Sequence, residues 1–156
     1  DLPVKFDGIV AYDIDGSHFA MITVKQSDES FAYTFEITCF TNFSIDVDGC
    51  KASYGEQFNP AVVAVNVARI LYAGAREMLS IVSARSPHGT AVLPSVVIEP
   101  TDINLEFEDG KRDEILKEYF AFSDETLAEL QKAISARQAP KASKKAAKTA
   151  ARSSKK

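Results

Sequence analysis

Apolar and polar residues alternate along residues 31–47, a pattern that predicts extended backbone with one buried face. The odd positions of this stretch are apolar apart from Thr41, and the even positions are mostly polar. Because the stretch is longer than an ordinary strand, we expect two antiparallel strands joined by a turn or bulge near Thr41 and Asn42. Two further strands are predicted earlier in the chain, over residues 6–14 and 19–26.

A helical period replaces the alternation between Asn59 and Arg85, and polar residues occupy only one stripe of it. On a projection of about 100° per residue the stripe covers an arc of about 100°. Its members are Asn59, Asn66, Arg69, Arg76, Glu77 and Ser80. The other positions are apolar or small, and one face of a sheet cannot cover so wide a surface. Unless the whole apolar arc is core, the helix needs a second partner: another element, another subunit or a bound hydrophobic polypeptide. This need favours binding over catalysis.

The neighbouring segments predict the start of this helix and the elements beyond its end. Asn59 is the predicted N-cap, with Pro60 in the first helical turn. Beyond the helix, an apolar run bracketed by prolines, residues 92–100, predicts an extended edge or a covering loop rather than a central strand. Residues 103–107 alternate and predict a short strand. Two short helices come next, the second of them capped by Ser123.

The net charge of −4 conceals an acidic body and a basic tail. Residues 141–156 hold seven basic and no acidic residues, which leaves the rest with 11 basic and 22 acidic residues, a net charge of −11. We expect this tail to be disordered, and either to solubilise the chain or to bind an anionic partner nonspecifically. Nucleic acid is disfavoured as the partner because the tail has no aromatic side chain to stack on bases. The predicted regions are 1–110, the sheet and main helix; 111–138, the C-terminal helices; and 139–156, the tail.

Motifs for nucleophilic, nucleotide or metal chemistry are missing, so we expect neither an enzyme nor a bound cofactor. His18 and His88, the two histidines, both lie beside turn residues. The similar pieces Asp13-Ile14-Asp15-Gly16 and Asp46-Val47-Asp48-Gly49 could present carboxylates to a divalent cation. A calcium loop needs further oxygen ligands, however, and an acidic strand end entering a glycine turn is the simpler interpretation. The two cysteines match no metal pattern and suit a reducing cytoplasm, and no apolar run is long enough for a membrane span.

Three pieces within residues 35–100 resemble the SecB-like family of protein-export chaperones. The first is an alternating strand that runs into Phe40-Thr41-Asn42-Phe43-Ser44-Ile45. The second is a helix that opens with Asn59-Pro60 and continues as Asn66-Val67-Ala68-Arg69-Ile70-Leu71-Tyr72-Ala73-Gly74-Ala75-Arg76-Glu77. The third is Ser83-Ala84-Arg85 followed by Leu93-Pro94. The order of these pieces carries the resemblance. It implies an α+β fold, in which helices pack on one face of a four-stranded antiparallel sheet, and assembly as a dimer of dimers.

The resemblance implies an ATP-independent holdase that binds unfolded or precursor polypeptides for export, with the SecA translocation motor as a further partner. The long helix would bury its second apolar face between subunits, through Val63, Val67, Ile70, Leu71 and Met78. The apolar wall for the client is expected at Val92, Leu93, Val96, Val97, Ile98 and Ile103. An acidic wet face of the sheet, with Glu36 and Asp46, is expected to meet a basic partner.

Two other classes of protein fit the same pattern. A self-assembling adaptor would bury the helix only between its own copies and bind an anionic partner through the tail. Deletion of residues 141–156 would abolish the function of an adaptor but not that of a holdase. A small α+β enzyme, such as a thioesterase with one helix on a sheet, would turn over acyl thioesters with the help of a carboxylate, but no catalytic constellation is visible.

Overall fold

The computed structural model describes residues 4–138 of the chain, with side chains placed over residues 4–133. The predicted basic tail, 139–156, lies outside the described residues. Two compact units are present, the first ending at Ala121 and the second beginning at Phe122. The elements are β1 (Lys5–Tyr12), β2 (His18–Gln26), β3 (Phe35–Phe43), α1 (Val47–Tyr54), α2 (Pro60–Ser83), β4 (Ile103–Phe107), α3 (Arg112–Phe120) and α4 (Asp124–Gln138), with a short 3₁₀ turn, Pro100–Asp102, before β4. None of the helices in this part of the chain is both long and apolar enough to cross a membrane.

The fold is α+β, with four strands in the order β3-β2-β1-β4. β1 pairs antiparallel with β2, and β2 pairs antiparallel with β3. β4 pairs parallel with β1, so the sheet is mixed and the expectation of a purely antiparallel sheet is wrong. The reason lies in the long connection after β3. α2 carries the chain back to the end of the sheet where β1 begins, so that β4 starts beside β1 and runs in the same direction.

The alternating stretch 31–47 contains a single strand, β3. The prediction of two antiparallel strands, with the second one running through Val47, is therefore wrong. β3 ends at Phe43, and Asp46 then caps α1, its side chain accepting a hydrogen bond from the backbone N–H of Gly49 at 3.1 Å. An aspartate at this position satisfies one of the free amides of the first helical turn. The chain therefore starts a helix at Val47, although the alternation of apolar and polar residues continues to that point.

The remaining elements confirm the sequence-based expectations. The Asn59 side chain caps α2 by accepting from the N–H of Ala61 at 2.8 Å, and Pro60 occupies the first turn. The proline-bracketed segment has no regular secondary structure up to the 3₁₀ turn, and β4 follows it. In the second unit, Ser123 Oγ accepts from the N–H of Thr126 at 3.3 Å and caps α4.

The core of the first unit lies between one face of the sheet and the helices α2 and α3. Tyr12 stands at its centre, fully buried, with its hydroxyl donating to the carbonyl of Pro60 at 2.7 Å. This bond ties the end of β1 to the first turn of α2. The other buried side chains include Val10, Ala20, Ile22 and Val24 from the sheet, Ala64, Ala68, Tyr72, Ala75 and Leu79 from α2, and Ile115, Leu116 and Phe120 from α3.

Candidate functional site

The face of α2 that lies on the sheet is built mostly from small residues. Ala64, Ala68 and Ala75 are buried there, together with Tyr72 and Leu79. Small side chains let the helix backbone approach the sheet closely, so a narrow strip of the helix is enough to close the core. The larger aliphatic side chains of α2 face away from the sheet.

These aliphatic residues form a second apolar face, which we call the outer face of α2. On a projection of about 100° per residue it covers an arc of about 120° beside the buried strip. Its exposed members are Ile70, Met78, Ile81 and Val82, and its half-buried members are Val63, Val67 and Leu71. Ile70 is 73% exposed, and it matters because Met78, Ile81 and Val82 are exposed on the same face, so the side chains form a patch rather than an isolated exposed residue. The structure thus brings all five residues predicted for the oligomer interface onto one outward arc.

Residues 90–99, the covering segment, lie along the opposite flank of α2. The Tyr72 hydroxyl donates to the carbonyl of Pro94 at 2.9 Å, and Arg69 Nη2 donates to the carbonyl of Ile98 at 3.3 Å. At the start of the segment, Ser83 Oγ accepts from the N–H of Ala91 at 2.7 Å. Because Arg69 belongs to the polar stripe, this stripe separates the covering segment from the outer face of α2.

The six residues predicted for the client wall divide into two groups. Val92, Val96 and Val97 point outward, and Val97 is 78% exposed. The side chains of Leu93, Ile98 and Ile103 are buried in the core. The buried residues hold the covering segment in place, and the valines remain as an exposed apolar ridge upon it.

The inner side of β3 is only partly covered. Buried side chains occupy the core-facing positions of β2, whereas every core-facing residue of β3 is half-buried, from Phe35 to Phe43. The part of the core beneath the β3 edge is therefore accessible beside α2. A second copy or a bound polypeptide would bury further apolar area there.

The open face of the sheet carries an apolar patch that the sequence analysis missed. The strand register places Ile9, Met21 and Phe40 in one row across β1, β2 and β3. Phe19 stacks on Phe40 with ring centroids 6.4 Å apart, and Phe40 is 71% exposed. The one signal available in the sequence is Phe40 itself, an aromatic residue at an even position of the alternating stretch. Contiguous exposed apolar residues within a polar rim are typical of interaction surfaces.

The two residues predicted for an acidic face do not lie together. Glu36 is on the open face of the sheet and pairs with Lys25 at 2.6 Å. Asp46 lies beyond the end of β3, where it caps α1. Since one carboxylate is paired and the other is occupied by the helix cap, no joint acidic surface arises from this pair.

The two cysteines and the two histidines, side chains that catalytic and metal sites often use, lie in different surroundings. Burial raises the pKa of both cysteine thiols, Cys39 and Cys50, which disfavours the reactive thiolate. His18 is buried and His88 is exposed. Among the residues that the structure describes, no three His, Cys, Asp or Glu side chains lie close enough to hold a metal ion.

Comparisons with protein-family models, with curated proteins and with solved structures find no match for this chain. The structure itself offers three exposed apolar surfaces that bear on function: the outer face of α2, the valines of the covering segment, and the patch around Phe40 on the open face of the sheet.

Proposed function

We propose that this protein is an ATP-independent holdase for unfolded polypeptides, of the kind found among SecB-like export chaperones, and that it acts in the cytoplasm. The observation that carries the proposal is the exposed apolar surface on both sides of the polar stripe, with Ile70 on the outer face of α2 and Val97 on the covering segment. A contiguous apolar surface of this kind on a folded domain favours a hydrophobic partner.

In this proposal the two apolar surfaces on α2 and its neighbour have separate tasks. The outer face of α2 packs against other copies of the chain and gives a dimer of dimers. The ridge of Val92, Val96 and Val97 contacts the client. The polar stripe between them supports this division, because it keeps the client surface accessible after the copies have assembled.

Client binding would rest on many weak contacts. Each square ångström of apolar surface removed from water contributes roughly 25 cal/mol, without regard to sequence. An unfolded chain that touches several copies of the ridge at once gains affinity from their number rather than from any single contact. Binding of this kind needs no ATP and can hold polypeptides of unrelated sequence.

The test is to dilute a denatured protein of known mass into an excess of this one and to measure particle mass by light scattering after size exclusion. Four copies of the 17.0 kDa chain give about 68 kDa, and the expected result is this mass plus that of the client, with no aggregate. A client that aggregates beside an unchanged peak would refute the holdase.

A shortened chain that ends at Pro140 is the control for the adaptor alternative. A holdase whose client surface lies on the covering segment keeps its activity when residues 141–156 are removed. If the shortened chain no longer holds the client although its particle mass is unchanged, the adaptor is favoured. Binding of the SecA motor to the full chain and to the shortened chain shows whether that partner exists and whether it needs the tail.

A further inference from the structure

His18, the first residue of β2, is fully buried at the point where three strands and a helix meet. Its ring lies 5.3 Å from that of Tyr12 in β1 and 5.4 Å from that of Phe43 in β3, centroid to centroid. The ring of Tyr119 in α3 is 4.8 Å away and perpendicular to it. The imidazole thus sits inside a cage of three aromatic rings.

The hydrogen bonds of His18 determine which nitrogen carries the proton. Nδ1 accepts from the backbone N–H of Asp13 at 3.3 Å, so the proton of the neutral ring resides on Nε2. Nε2 is buried and has no hydrogen-bond partner within the part of the chain that the structure describes. The cage therefore accepts one protonation state and one tautomer.

A second proton has no acceptable place in this arrangement. The second proton would bind Nδ1, which at present accepts the hydrogen bond from Asp13. Two donors, Nδ1–H and the Asp13 N–H, would then point towards each other. The same proton would also place a positive charge in a buried site, away from water. The carboxylates of Asp13 and Asp15 at the neighbouring turn favour the charged ring, but burial outweighs them and lowers the pKa of His18. The three rings of the cage are uncharged: the phenols of Tyr12 and Tyr119, and Phe43 on β3. Two further carboxylates lie close by, since Glu108 accepts from the N–H of Ile14 in the same turn at 3.1 Å and Glu118 acts on Tyr119.

The Asp13 amide belongs to the turn between β1 and β2, and this turn also contacts α3. The Tyr119 hydroxyl donates to the carbonyl of Ile14 at 2.9 Å. Gly16 packs so closely there that a Cβ at its position would lie 2.9 Å from the same hydroxyl oxygen. Two hydrogen bonds, Asp13 to His18 and Tyr119 to Ile14, therefore hold the turn on the aromatic cage, and a third runs from the N–H of Ile14 to the carboxylate of Glu108 at 3.1 Å.

We propose that protonation of His18 releases the β1–β2 turn from α3, which makes this end of the sheet an acid-sensitive contact. The direction follows from the two protonation states. The closed turn binds only the neutral ring, whereas the opened turn exposes an ordinary histidine with a pKa of about 6.5. Closure is therefore complete above that pH and weakens as the pH falls towards the lowered pKa of the closed form. Within this window the ratio of open to closed turns rises up to tenfold for each pH unit.

The test uses NMR on the full chain, in which His18 and His88 are the two histidines and one spectrum reports both rings. Between pH 7.5 and 5, we expect the Asp13 and Gly16 amides to lose protection against hydrogen exchange, after correction for intrinsic rates, while amides in the middle of β2 keep theirs. Ordinary titration of the His18 ring near pH 6.5, with the Asp13 amide still protected, would overturn the proposal.

Three variants separate this contact from general acid unfolding. His18→Asn retains an oxygen acceptor near the Nδ1 position and cannot take up the proton, so the pH dependence of Asp13 exchange should vanish. Asp15→Asn keeps an oxygen for the N–H of Ser17 and removes a charge that favours imidazolium in the closed turn, so the pKa of the closed form falls further and the Asp13 amide should open more at pH 5 than in the parent chain. His88→Asn should behave as the parent chain does. A pH dependence that survives in His18→Asn, or that disappears in His88→Asn, contradicts the proposal.

Discussion

Two neighbouring residues of the covering segment, Val97 and Ile98, offer a sharp test of the proposed client surface. Val97 is 78% exposed and Ile98 is 3% exposed, although they are adjacent and similar in chemistry. We therefore expect Val97→Asp to impair client holding without affecting the fold, and Ile98→Ala to affect the fold first. The arrangement of the segment on α2 produces this difference.

The magnitudes come from burial. A substitution at an exposed site such as Val97 changes the free energy of unfolding by no more than about 0.5 kcal/mol. If a client buries this valine, its loss costs about 1.5 kcal/mol of binding, roughly a tenfold weaker affinity. Truncation of the buried Ile98 removes its packing and leaves a cavity, at a cost of about 2–5 kcal/mol of stability. That is a large part of the roughly 5–15 kcal/mol typical of a domain.

Urea denaturation followed by circular dichroism measures the stability of both variants, and suppression of light scattering by a diluted denatured protein measures client holding. Comparison at a temperature where Ile98→Ala is still folded separates the two effects. Full holding activity in Val97→Asp would remove Val97 from the client surface. A loss of stability above about 2 kcal/mol in that variant would show that the side chain is packed.

Three further predictions concern assembly and the core. Ile70→Glu places a charge on the outer face of α2, so the particle mass measured by light scattering should fall towards 17.0 kDa while circular dichroism shows a folded chain; an unchanged mass would exclude this face from the interface. Tyr12→Phe removes the 2.7 Å bond to the Pro60 carbonyl and should lower the free energy of unfolding by about 1 kcal/mol in urea. Gly16→Ala and Gly110→Ala both place a Cβ at positive φ, which costs about 1 kcal/mol. Gly16→Ala should lower the free energy of unfolding more, because its Cβ would lie 2.9 Å from the Tyr119 hydroxyl oxygen. Equal losses of stability in the two variants would show that the Tyr119 side chain moves aside without cost.

Local chemistry was enough to predict where α2 begins and that it carries more apolar surface than a sheet can cover. Asn59 and Pro60 specify the first turn through capping and a fixed φ angle, both of which involve only neighbouring residues. The alternation of β1, β2 and β4 predicts strands for a similar reason. The same local argument failed after Phe43, where a single aspartate cap starts α1 inside a stretch that still alternates.

Sequence alone therefore determined the element types over most of the chain, the excess of apolar surface on α2 and the contrast between an acidic body and a basic tail. Tertiary structure decided that β4 runs parallel to β1, that Ile98 is buried while Val97 is exposed, and that the apolar side chains of three strands meet on the open face of the sheet. It also placed His18 in an aromatic cage, although its neighbours in the sequence are turn residues. The physical reason is that periodicity and capping act between residues a few positions apart, whereas burial depends on which distant element packs across a given side chain.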